Sequence, residues 1–159
     1  MDETLRAMLL QHDCATGCEI PRNDWRVFPY ADLQNSVLRI QRVLNEERGL
    51  PFERDGNVQD ASLHDELSIT EMARDPASGE RQRYVQVTRI CVSFSNFGRL
   101  CTIHGNNLGD YPLETIEQVI QNELWTLVPS EALDSPYDGL NEALRKHGIT
   151  WFTRFFSYL

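Results

Sequence analysis

Side chains able to do chemistry are gathered in a few short stretches of this 159-residue chain. His12-Asp13-Cys14-Ala15-Thr16-Gly17-Cys18 places an imidazole and two thiols within seven residues, a crowding of soft donors that zinc uses. A structural zinc site needs a fourth ligand, and no second Cys/His pair follows at a recognisable distance. The stretch therefore reads as thiols in a packed loop, and neither a metal nor another cofactor is expected. Cys91 and Cys101 stand equally far from Asn96, so a reversal centred there sets them opposite each other on neighbouring strands. In a reducing compartment they are expected to remain thiols.

His104-Gly105-Asn106-Asn107-Leu108-Gly109-Asp110 brings a histidine near an aspartate, a combination that acid–base chemistry exploits. Glycine and asparagine are also what any turn selects. The loop lacks the lysine and hydroxyl of the phosphate-binding pattern Gly-x-x-x-x-Gly-Lys-[Ser/Thr]. Neither a Gly-x-Ser-x-Gly elbow nor a His-Glu-x-x-His helix occurs in the chain. No catalytic residue is assigned, and a binding protein is favoured over an enzyme. A small-ligand or catalytic pocket near His104 and Asp110 is the alternative.

The elements that must position these residues follow from periodicity. Thr4–Leu10 reads as a short helix with Leu5, Met8 and Leu9 on one face, and residues 11–30 as an irregular, aromatic connection. Leu33, Val37, Ile40 and Leu44 share one face of a helix from about Asp32 to Arg48. Arg48-Gly49-Leu50-Pro51 supplies its stop signal, and residues 51–63 read as a surface loop. Strand periodicity then predicts a hairpin from Leu67 and Ile69 through the turn Asp75–Gly79 to Tyr84–Phe94. The change of parity within Tyr84–Phe94 predicts a bulge near Thr88-Arg89 or burial on both faces. A reversal at Ser95–Gly98 leads to a third strand, Leu100–His104. Helices follow at about Pro112–Leu124, with a stripe of Leu113, Ile116, Ile120, Leu124 and Leu127, and at about Tyr137–His147.

Trp151, Phe152, Phe155, Phe156 and Leu159 recur at helical spacing and are expected to dock on the chain's own core. A structural subunit that uses this aromatic end as an exposed anchor is a further alternative. Together these elements predict one α+β domain over residues 1–159. Its antiparallel meander of three or more strands is covered on one face by helices, giving a two-layer fold of sheet and helices.

Charge supplies the strongest functional signal. The net charge is −9, from 24 acidic and 15 basic residues. Such a field repels nucleic-acid phosphate and anionic lipid and draws basic proteins. No run approaches the roughly 20 apolar residues of a membrane span. The acids in Met1–Arg6 do not suit a secretory leader, so a cytoplasmic protein is expected. No basic residue lies between Arg99 and Arg145, whereas Asp110, Glu114, Glu117, Glu123, Glu131, Asp134, Asp138 and Glu142 all do. The first seven of these acids are read as a partner-binding surface for a basic protein.

The acidic α+β layout, the segment Cys91–Ile103, the acidic helix after it and the end Trp151-Phe152-Thr153-Arg154-Phe155-Phe156 resemble the small immunity proteins that accompany bacterial secreted toxins. That resemblance lies in size, layout and charge. It implies a protein that neutralises a cognate toxin by occluding a basic surface. The sequence leaves the oligomeric state open.

Overall fold

Two strands with apolar residues on alternate positions form the centre of the molecule: β2 (His64–Arg74) and β3 (Tyr84–Ser95). The computed structural model describes residues 1–13, 30–54, 64–77, 83–95 and 97–156. Across the hairpin Leu67 faces Val92 and Ile69 faces Ile90, but Thr70 faces Thr88, so Arg89 is the extra residue of a bulge. The parity change in the sequence is thus resolved at the expected place, and β3 from Ile90 to Ser95 is also buried on both faces.

β4 (Leu100–His104) runs antiparallel to β3, and two short strands complete a five-stranded sheet of order β1-β2-β3-β4-β5. β1 (Glu53–Arg54) pairs with β2, and β5 (Thr126–Leu127) pairs in parallel with β4. The reversal before β4 is not centred on Asn96. The consecutive left-handed residues are Gly98 and Arg99, the pairing of positive φ angles that tight hairpin turns require. Gly98 also lies against the His12 ring, into which a Cβ would project.

One sheet face carries Leu67, Ile90, Val92, Phe94 and Cys101 and receives two helices. α2 (Tyr30–Arg42) continues through a π turn, Val43–Glu47, to Gly49, whose φ of 67° fulfils the expected stop. It buries Leu33, Val37, Ile40 and Leu44, the predicted stripe. α3 (Leu113–Asn122) buries Ile116, Val119 and Ile120. Leu124 does not belong to that stripe: the helix ends before it, its φ is 63° and it is 73% exposed. Trp125 takes the buried place instead, with its ring edge-on to Phe94 at 5.0 Å and its Nε1 donating to Ser36 Oγ at 2.8 Å.

The α+β class and the antiparallel meander are those read from the sequence. A second apolar cluster extends the plan, built from α1 (Glu3–His12), α4 (Ser130–Leu133), α5 (Glu142–Lys146), α6 (Trp151–Phe156), Phe97 and Leu100. The helix expected over Tyr137–His147 is confined to α5. Asn141 caps it by accepting from the Leu144 N–H at 3.1 Å, and Tyr137 is held in an extended segment where Pro136 bridges Thr150.

The C-terminal rings belong to this cluster: Trp151, Phe155 and Phe156 are buried and Phe152 is half-buried. Trp151 and Phe155 stack at 5.8 Å. The expected self-docking therefore holds for the described part of the segment; Leu159 lies outside the described residues. No described helix is long and apolar enough to cross a membrane.

Candidate functional site

Opposite the apolar face, the same strands present polar residues, because side chains alternate across a sheet. β2 contributes Glu66 and Ser68, β3 Cys91 and Ser93, and β4 Thr102 and His104. Register sets Ser68, Cys91 and His104 in one cross-strand row and Glu66, Ser93 and Thr102 in the next. The Ser93 hydroxyl donates to Glu66 Oε1 at 3.0 Å and lies 2.9 Å from His104 Nε2 and 3.7 Å from Cys91 Sγ. Since its single proton goes to the carboxylate, the hydroxyl accepts from His104, so Nε2 carries the imidazole proton.

His104 touches Phe152 edge-on at 5.2 Å. Burial lowers its pKa from the ordinary value, against the opposing pull of Glu66 and Asp134. Burial, aided by the Glu66 carboxylate, pushes the Cys91 thiol up to about 12. At neutral pH the thiol and the imidazole are therefore both uncharged. Such a thiol is a poor nucleophile. The cluster opens onto a polar trough of about 430 Å3, to whose lining Glu66 and Cys91 contribute.

This register corrects the expected cysteine pair. Cys91 faces His104, Cys101 faces Phe94, and the two thiols lie on opposite faces of the sheet. The reason is the later turn at Gly98-Arg99, which shifts the pairing by an odd number of positions and so exchanges the faces. His104 and Asp110 do not converge either. His104 is directed to Ser93, while Asp110 is exposed on the 3-10 turn Leu108–Asp110 and accepts from Asn107 Nδ2 at 3.1 Å. Cys14 and Cys18 lie outside the described residues. Asp13, from the same stretch, is fully buried and serves the second core cluster.

The predicted acids occupy several environments. Glu123 is gripped by Arg39, whose Nη2 lies 2.8 Å from Oε2, and that hydrogen bond holds the Glu123 carboxyl below its usual range. Asp138 pairs with Arg6 at 2.7 Å. Glu142, outside the predicted surface, pairs with Lys146. The sequence interval without bases is thus served in part by cations from elsewhere in the chain.

Asp110, Glu114, Glu131 and Asp134 are exposed. Glu114 opens α3 and Glu131 opens α4, where acids suit the helix dipole. Between these helices and the sheet edge lies a cleft of about 270 Å3 with an apolar floor of Ile103, Leu108, Leu113 and Leu127. Glu117 and Glu131 contribute its carboxylates, and none of the described residues that line it is basic. Glu114 and Glu117 lie off the buried positions Ile116, Val119 and Ile120 of α3. The closure of β5 and α4 over the apolar floor had no sequence signal, because both elements are only a few residues long.

The chain matches no family model, and no curated protein or solved structure matches it either.

Proposed function

We propose that this chain is a protein-binding domain that takes a basic segment of a partner into the cleft between α3, α4 and the β4–β5 edge. An immunity protein occluding the basic surface of a cognate bacterial toxin is the specific form of this reading. The observation that carries it is the pairing of an apolar floor with the Glu117 and Glu131 carboxylates in a lining whose described residues carry no positive charge. An arginine or lysine suits such a place chemically: its stem covers apolar surface while its head meets carboxylates.

The surrounding field assists the encounter, since a net charge of −9 steers a basic partner toward the surface. The test is co-purification with the product of an adjacent toxin-like gene, repeated with Glu117→Lys/Glu131→Lys. The reading expects a complex with the native chain and a markedly weaker one with the variant. An undiminished complex would place the interface elsewhere.

A further inference from the structure

We propose that Glu66, Cys91 and His104 form a binding site for a single divalent transition-metal ion of the zinc type. The site lies on the polar face of the sheet and is independent of the partner cleft. The three side chains bring one oxygen, one sulfur and one nitrogen donor, and these atoms all lie within 4.8 Å of one another.

Zinc takes mixed Cys, His and carboxylate donors at roughly 2.0–2.3 Å in a tetrahedron. Such bonds set ligand atoms about 3.3–3.8 Å apart. Closing the cluster around an ion therefore asks for side-chain movements of about an ångström, with no change of strand register. The donor set also selects the class of ion: a thiolate with an imidazole favours zinc and its neighbours over calcium or magnesium, which take oxygen ligands.

Position supports the assignment. Cys91 and His104 are direct cross-strand partners and Glu66 sits in the adjacent row, so three strands of one rigid sheet fix the donors. Ser93 touches both Glu66 and His104 through its hydroxyl, and polar neighbours of this kind orient metal ligands. The trough that reaches Glu66 and Cys91 gives an ion a path from solvent.

An independent observation points to a further occupant of this face. Thr102 lies directly across from Ser93 and is fully buried, yet its Oγ1 has no hydrogen-bond partner among the described residues. Three protein ligands leave a fourth position for water on a zinc ion. A polar occupant of that kind is what a buried, unpartnered hydroxyl calls for.

Binding would proceed with loss of the Cys91 proton to solvent or buffer, leaving a thiolate on the cation. The test uses the full chain, purified free of metal under reducing conditions, and titrated with zinc and separately with cobalt. One equivalent of zinc should bind and raise the melting temperature. Cobalt should produce a thiolate charge-transfer band and the visible bands of a four-coordinate ion.

Cys91→Ser should abolish the charge-transfer band, and Glu66→Gln should weaken zinc binding while the native circular dichroism spectrum persists. Ser93→Ala should weaken binding by roughly 10–100-fold, the usual effect of removing a group that orients ligands. Cys101→Ser, on the opposite face, should leave the metal spectra unchanged. Absence of stoichiometric binding to the folded native chain would overturn the proposal. So would a thiolate–cobalt band that survives Cys91→Ser, or one that disappears on Cys14→Ser/Cys18→Ser while Cys91 is intact.

Discussion

Asp13 and Arg154 form an ion pair across 141 positions of the chain, with Arg154 Nε donating to Asp13 Oδ1 at 3.0 Å and both side chains fully buried. The second carboxylate oxygen accepts from the Tyr137 hydroxyl at 2.6 Å and from the Leu140 N–H at 2.7 Å. Arg154 also lies over the Phe97 ring at 5.1 Å. One carboxylate at the end of α1 thereby fixes the segment before α5, helix α6 and the turn that precedes β4.

Removing one member of this pair leaves the other buried without its opposite charge. Asp13→Ala is expected to destabilise the fold by about 3–5 kcal/mol, measured by urea unfolding. Arg154→Met should do less harm in an Asp13→Asn background than alone, because the stranded carboxylate is then absent. Equal effects in both backgrounds would show that the two side chains act independently.

The aromatic end contributes to the same cluster. Phe155→Ala is expected to cost about 3–5 kcal/mol, and deletion of residues 151–159 should abolish cooperative unfolding, since native stability is only about 5–15 kcal/mol. A truncated chain that melts like the full-length protein would contradict the placement of Trp151, Phe155 and Phe156 in the core.

Much of this was legible in the chain because long, periodic segments report their own burial. The stripe Leu33, Val37, Ile40 and Leu44, the stop at Gly49 and the parity change at Arg89 are local signals that tertiary contacts reinforce. The network around Asp13 left no such trace, since its partners lie more than a hundred positions away and a single buried acid resembles a surface acid in sequence. The polar cluster was hidden for another reason. Glu66, Cys91, Ser93 and His104 meet only through strand register, and that register turns on the left-handed pair Gly98-Arg99.

His12 provides a pH test. Burial lowers its pKa below the ordinary value of 6.5, and its Nδ1 is buried without a hydrogen-bond partner among the described residues. Well above pH 6.5 the imidazole is neutral in both folded and unfolded chains, so it adds no pH dependence there. As pH falls below that value the unfolded chain takes up the proton first, and stability declines until the lowered folded pKa is passed. Urea unfolding at pH 7.5 and 5.5 should show a smaller loss for His12→Phe, which keeps a ring beside Gly98, than for the native chain. An identical loss would remove His12 from the account.

The cysteines of the sheet should not pair. Cys91 and Cys101 point to opposite faces, and burial raises the pKa of both thiols, that of Cys101 beyond its usual range. Mild oxidation of the folded protein followed by alkylation and peptide mass analysis should recover both as separate thiols, with slow labelling until denaturant is added. A Cys91–Cys101 disulfide formed without unfolding would contradict the register.

The most direct test of the proposed function is the rate of association with a basic partner, the toxin-like protein of an adjacent gene, at low and moderate salt. Glu123 is unsuitable for charge reversal, because its bond to Arg39 ties α2 to the end of α3. Glu114, Glu117 and Glu131 make no ion pair with a described residue, so a triple change to lysine should leave the urea midpoint nearly unchanged. The account predicts association at least about tenfold slower at low salt for this variant, with a flatter dependence on salt. The same rate and the same salt slope as the native chain would contradict it.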